Sequence, residues 1–191
     1  EEQALFGIVQ GGTNPDLRAR SVEQVCSLDL PGYAIGGVAV GESPEKIVEI
    51  VNFTANLLPE KKPRYLMGVG YERDLVAAVA AGMDMFDCVL PTRNGRNGQT
   101  FTRNGQLHLR NACFKSDTSV IEPGCSCATC VGGFTRAYLR HLFMAKEMLG
   151  GILASVHNIH HFQSLMIDIR ASIRDNSWSA LEHRWPVLNT S

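Results

Sequence analysis

The first ninety or so residues repeat one rhythm, and it limits the possible folds more than any other feature of the chain. The run "ALFGIVQ" (Leu5 to Gln10 within it) ends at Gly11-Gly12 and leads into "NPDLRARSVEQVCSLDL". That second stretch has a proline near its start and helical spacing at Leu17, Val25 and Leu28. "GYAIGGVAV" is followed by "SPEKIVEIVNFTANLL", where Ser43 reads as an N-cap and Pro44 as the first helical residue. "RYLMGVG" precedes "ERDLVAAVAAGM", with Gly82 as the expected stop, and "DMFDCVL" closes the series at Pro91. Apolar, non-alternating strands separated by helices predict a parallel α/β sheet covered on both faces. Four such units fall short of the roughly eight that close a barrel. The expectation is therefore the second, C-terminal half of a (β/α)8 TIM barrel, with a small open sheet as the alternative.

After Pro91 the rhythm stops. "TFTRNGQLHL" alternates around Asn104-Gly105, a strong hairpin signal, and from Phe134 onward the chain reads as helical. The expected organisation is residues 1–98 as barrel units, 99–157 as an inserted hairpin and metal subdomain, and 158–191 as C-terminal helices. A net charge of −1 over 191 residues gives no global affinity for nucleic acid or membrane, so any such affinity must be local. No run approaches the roughly 18 apolar residues of a membrane span, and the acidic start is not a signal peptide.

Six cysteines are too few for a secreted disulfide scaffold of this size. Cys26 and Cys113 read as reduced structural thiols, which points to the cytoplasm. Cys125, Cys127 and Cys130 instead form C-x-C-x-x-C on one tight loop, suited to a soft cation. Zinc prefers four ligands, and a neutral imidazole would complete Cys3His. Downstream candidates are His141, His157, His160, His161 and His183. His157 is favoured because one helix length separates it from Cys130, so a helix folding back can return it, with Asn158 opening the next helix. His141 stays open. A closed Cys3His site has no position for substrate and would be structural; an Fe–S cluster is the runner-up.

Asp87 is expected at the carboxyl end of the fourth strand, shielded by Phe86, Val89 and Leu90. There a carboxylate can act as nucleophile or base, or merely cap backbone N–H groups. From Cys88 to Ser116 there is no acidic residue, while Arg93, Arg96, Arg103, Arg110 and Lys115 all occur, a local cationic surface suited to phosphates.

"FGIVQGG", "YAIGGVAVGE", "YLMGVG", "DMFDCVLPTRNGRNG", "CSCATC" and "VHNI", in that order across almost the whole chain, resemble the tRNA-guanine transglycosylase family. The resemblance implies exchange of the wobble guanine of tRNA for a 7-deazaguanine base, on a (β/α)8 barrel with an inserted zinc subdomain. It implies that Asp87 is the nucleophile toward ribose C1′, and that Gln10, the backbone at Gly37, and Met67 form the base pocket. Gly68, Val69, Gly70, Tyr71, Glu72, Arg73 and Asp74 would contact RNA. Thr92, Arg93, Asn94, Gly95 and Arg96 would recognise the wobble region of the anticodon loop. Cys125, Cys127, Cys130 and His157 would ligate zinc, Val40 resembles the bacterial form with its narrower pocket, and the bacterial family usually forms homodimers. The alternatives are a non-catalytic, zinc-containing partner subunit that binds tRNA, and an ordinary β/α hydrolase stabilised by zinc.

The family's general acid/base aspartate and a second base-binding aspartate lie upstream of "FGIVQGG". These 191 residues alone are therefore expected not to catalyse exchange. Incubation with guanine-containing tRNA and labelled guanine measures this directly, and robust incorporation would overturn the expectation.

Overall fold

The computed structural model describes residues 3–39 and 41–189. The chain divides into two compact units, Glu1–Cys88 and Val89–Ser191.

In the first unit, four strands pair in parallel in the order β1 (Phe6–Val9), β2 (Gly32–Ile35), β3 (Arg64–Leu66), β4 (Met85–Phe86). They are joined by α1 (Pro15–Cys26), α2 (Pro44–Ala55) and α3 (Glu72–Ala80). The helix starts follow from local chemistry. Asn14 accepts from the Leu17 N–H ahead of Pro15, and Ser43 accepts from the Lys46 N–H ahead of Pro44. Gly82, at φ +95°, follows α3 in a conformation that only glycine adopts cheaply.

The register aligns Val9, Ile35, Leu66 and Phe86 in one row, the first three fully buried among the helices with Val22, Ile50, Val51 and Ala78. The row before it, Ile8, Ala34, Tyr65 and Met85, points to the opposite face, where Ile8 and Met85 are exposed. Two expectations are corrected here. Leu17 and Leu28 are exposed, and α1 buries Arg18 and Val22 instead. One sheet face is also less covered than the continuous apolar strands suggested.

Arg64 ties the amino ends together. Its guanidinium donates to the carbonyls of Leu58 (2.5 Å), Pro59 (3.3 Å) and Gly82 (3.5 Å), and its backbone N–H donates to Asp84 (2.8 Å).

The second unit starts with α4 (Leu90–Arg96), so "PTRNGR" is helical rather than a charged loop, and the units part before the boundary expected at 98. The hairpin β5 (Gln99–Thr102) and β6 (Gly105–His108) turns through Arg103-Asn104, which places Gly105 at the start of the return strand. A short α5 (Ala128–Val131) and α6 (Arg136–Met144) follow, then α7 (Met148–Arg174) and α8 (Trp178–Arg184). α7 is a single 27-residue helix, so Asn158 does not open a new one: His157 and Asn158 both sit mid-helix, across the boundary expected at 157. Among the described residues no helix is long and apolar enough to cross a membrane.

Candidate functional site

Strand alternation decides what the first unit presents at its carboxyl edge. The residues that follow the buried row Val9, Ile35, Leu66 and Phe86 are Gln10, Gly36, Met67 and Asp87. They continue the Ile8–Ala34–Tyr65–Met85 face, so one parallel register brings four candidate groups to one sheet edge. The edge is tight at its glycines. A Cβ on Gly36 would lie 2.7 Å from Gln10 Nε2, and one on Gly37 would lie 2.5 Å from Gln10 Oε1, at a backbone φ of +64°. Gln10 therefore lies across the Gly36-Gly37 backbone, as a group reading a flat ligand beside it would.

Asp87 follows β4 directly but is exposed, as is Val89, while Phe86 and Leu90 are half-buried; the expected apolar shielding is not found. Two donors orient it instead. Oδ1 accepts from the Tyr65 hydroxyl (2.6 Å) and from the Gly68 N–H (3.0 Å). The bond to Asp87, ahead of burial and of the carboxylate charge, pushes the Tyr65 hydroxyl up to about 12. Tyr65 keeps its proton through the neutral range and acts as a fixed donor, not a base. Sequence reading missed it, although its register position two residues before Met67 could have found it.

The second unit assembles the sulfur site. Cys127 caps α5, its sulfur accepting from the Cys130 N–H (3.3 Å), so both thiols turn inward from one helical turn. His157 Nδ1 lies 3.8 Å from the Cys125 sulfur, 3.4 Å from that of Cys127 and 3.5 Å from that of Cys130. All four donor atoms fall within 4.8 Å of one another. Tetrahedral zinc bonds imply S···N edges of about 3.6 Å, so the set fits a single ion. His157 Nε2 donates to the Phe101 carbonyl (2.8 Å), which leaves Nδ1 as the ligand atom. His160 instead meets Ser126 (3.2 Å) and His183 meets the Ser179 carbonyl (2.8 Å); neither joins the cluster, nor do His141 and His161.

Burial, most of all, pushes the Cys130 thiol up to about 12, and the Cys127 and Cys125 sulfurs add to it. Burial also raises Cys125, and it lowers His157 against the opposing Phe101 carbonyl. The imidazole is thereby held in its ligand form, while a cation entering the site must displace thiol protons.

With this geometry in place, the sequence profile of the family described as queuine tRNA-ribosyltransferase matches residues 1–187. The chain belongs to this family. It is 52% identical over 182 residues to the queuine tRNA-ribosyltransferase of Xylella fastidiosa strain M12, covering 95% of this chain and 47% of that protein. The enzymes of that name from Dechloromonas aromatica and Pelotomaculum thermopropionicum are each 54% identical, over 170 and 174 residues. These matches cover 89% and 91% of this chain and 46% and 47% of those proteins. The chain thus spans about half the length of the curated relatives it matches.

The stretches tied to RNA by family resemblance are mixed in exposure. Gly68, Tyr71 and Arg73 are exposed, Asp74 is half-buried, and Val69, Gly70 and Glu72 are buried. Burial raises the Asp74 carboxyl, with Arg73 opposing and Glu72 reinforcing. In α4, Arg93 and Arg96 are exposed, Thr92 and Asn94 half-buried, and Gly95 buried. Val40 lies outside the described residues.

Arg18 escaped sequence reading, where an arginine in an amphipathic helix passes for surface. It is fully buried and donates to the carbonyls of Gly12 (2.8 Å), Val9 (3.1 Å) and Gly37 (3.1 Å). One guanidinium thus fixes both backbone turns that carry Gln10 and Gly37. Arg18→Met removes all of these donors and should lower the unfolding free energy by about 3 kcal/mol. Arg20→Met, at an exposed position of the same helix, should stay within about 0.5 kcal/mol. Denaturant titration at equal slope measures both, and equal effects would exclude the tie.

The sulfur site predicts metal-dependent stability. Chelation, or Cys127→Ser, should lower the melting temperature by about 10 °C, and zinc should restore the chelated wild type alone. Thermal unfolding that ignores chelator and zinc alike would contradict a metal at this site.

Proposed function

We propose that this chain carries the nucleophile, part of the base pocket and the structural zinc site of a tRNA-guanine transglycosylase. The enzyme would replace the wobble guanine in the anticodon loop of tRNA with a 7-deazaguanine base, as a pentosyltransferase of the queuosine pathway. The observation that carries this reading is Asp87, held by Tyr65 and Gly68 in the same sheet-edge row as Gln10, Gly36 and Met67, in a chain of this family.

In the proposed reaction, the Asp87 oxygen not held by Tyr65, Oδ2, attacks ribose C1′ as the C1′–N9 bond breaks. The bonding pair leaves on guanine N9, which takes a proton from the general acid of the whole enzyme. A ribosyl–Asp87 ester remains. N9 of the incoming base then attacks C1′, gives up its proton to the same group, and releases the Asp87 carboxylate. Tyr65 and Gly68 fix the attacking group, while Gln10 and the Gly37 backbone hold the base in plane beside the Met67 side chain. Without that acid the isolated 191 residues would be inactive.

Several finer assignments support the same reading. Sequential strand order with neighbouring α1–α2 and α2–α3 contacts is the pattern of consecutive barrel units, so we assign the first unit to half of a (β/α)8 barrel. Three thiolates and one imidazole favour zinc over harder cations, and a closed four-ligand shell gives it a structural role. In the second unit the exposed Arg93 and Arg96, and in the first the exposed Arg73 of the Gly68–Asp74 segment, would each take RNA phosphates. A cytoplasmic homodimer is proposed from the family alone.

Asp87→Asn in the enzyme that includes this chain should reduce exchange by at least about 10³-fold. It should also abolish the covalent RNA adduct that wild type accumulates when guanine is withheld. An adduct formed equally by both proteins, seen on denaturing gels, would remove Asp87 from the reaction.

A further inference from the structure

Helix α4 carries the residues proposed to read the wobble region, yet little in its own sequence holds it. It is seven residues long, includes glycine and asparagine and has no side-chain cap at its N-terminus; Pro91 in its first turn and the Asn97 amide on the Arg93 carbonyl (3.0 Å) are its own supports. Its position comes from α7. Gly151, Ser155 and Asn158 stand at i, i+4 and i+7 on one face of that helix, and each meets α4 or the segment after it. A Cβ on Gly95 would lie 2.6 Å from Ser155 Oγ and 2.8 Å from the Ser155 backbone N, so the two backbones touch there. A Cβ on Gly151 would lie 3.4 Å from Arg96 Cα.

Asn158 makes the polar part of the junction. It is fully buried, and both its N–H donors and its carbonyl oxygen have partners. Nδ2 donates to the carbonyls of Pro91 (2.9 Å) in the first turn of α4 and Gln99 (3.0 Å) in β5, while Oδ1 accepts from the Phe101 N–H (3.1 Å). The Phe101 carbonyl goes to the neighbouring metal-site residue, His157 (2.8 Å). Two consecutive side chains of α7 therefore grip both ends of the Phe101 residue, and one of them also grips α4. An amide is the only side-chain group of this length that offers two donors and one acceptor together. Aspartate would face two carbonyls with a buried negative charge, and an apolar residue would leave three backbone groups without partners.

We infer that Asn158 is a positioning residue for RNA recognition: it fixes α4, and with it Arg93 and Arg96, to the helix that carries the metal-site histidine. The inference rests on the proposed RNA-reading role of Thr92–Arg96. It assigns Asn158 no part in the chemistry at C1′.

The test uses the zinc-loaded enzyme that includes this chain, with Asn158→Ala, Gly95→Ala and the double change Arg93→Ala, Arg96→Ala. Zinc content, KM and kcat for tRNA, and equilibrium affinity for free guanine are measured for each. Asn158→Ala should keep its zinc and its guanine affinity while KM for tRNA rises by roughly tenfold or more and kcat changes by less than about threefold. Gly95→Ala favours helix formation locally but forces α4 away from Ser155, so it should reproduce the KM effect with Asn158 intact. It carries the test alone should Asn158→Ala not fold. Unchanged KM in the folded variants, or a loss confined to kcat, overturns the inference. If the double arginine variant also binds tRNA normally, the RNA-reading role of α4 fails; if that variant alone is impaired, only the positioning role of Asn158 fails.

Discussion

In-register parallel pairing is the constraint on which the first unit depends. Because Val9, Ile35, Leu66 and Phe86 share a row, whatever follows them in sequence must share the next one, on the other face. Gln10, Gly36, Met67 and Asp87 are far apart in the chain and are brought together by nothing more than strand register. A one-residue slip of β4 would send Asp87 to the helix side and away from Tyr65. The hydrophobic row is thus what aims the chemistry, and the large buried core of α1, α2 and α3 serves first to hold that register.

Apolar packing sets the rows but not the loops beyond them, and there the chain uses buried polar ties. Arg18 closes the carboxyl side by binding the Val9 carbonyl at the end of β1 and the Gly12 and Gly37 carbonyls in the turns after β1 and β2, and Arg64 does the same for the turns on the amino side. Each guanidinium offers five donors in a rigid fork, which suits it to holding several carbonyls that no strand ladder reaches. In the second unit Asn158 fills the equivalent place with an amide. Backbone carbonyls at loop ends need partners when buried, and these three side chains supply them.

Much of this was legible in the sequence, and the failures share a physical cause. The βα rhythm, the Ser43-Pro44 helix start, the Gly82 stop and the C-x-C-x-x-C loop are local patterns, and each is found in the structure; His157 meets that loop from 27 to 32 residues away, a return that one helix length allows. Arg18 and Asn158 could not be read in the same way, because their roles depend on partners 6 to 67 residues away in the chain, whereas Tyr65 was marked only by its strand register, two residues before Met67. Helix α4 was missed because its glycine and asparagine argue against a helix and its main support is tertiary contact with α7. The split at Asn158 was misplaced for a related reason: asparagine favours helix starts when its amide bonds locally, but here it bonds across to another element.

The Cys125, Cys127, Cys130 and His157 cluster follows the same contrast. Cys125 and Cys130 are poor stabilisers by themselves, since burial works against the charged form of each that a cation needs. Once charged and bridged by an ion, the cluster joins the Pro123–Cys130 loop to the middle of α7 at His157. α7 is long and buries one face through Ala154, Phe162, Leu165 and Ile169, while Met148, Ile152 and Ile159 on another face stay exposed. A tetrahedral ion specifies position to a fraction of an ångström, where hydrophobic contact specifies it only to a side-chain volume. An ion bound one residue from Asn158 would carry that precision to α4 through two side chains and the Phe101 residue. In the proposed enzyme, the metal would then serve RNA binding rather than the chemistry, by deciding where the RNA-facing arginines stand.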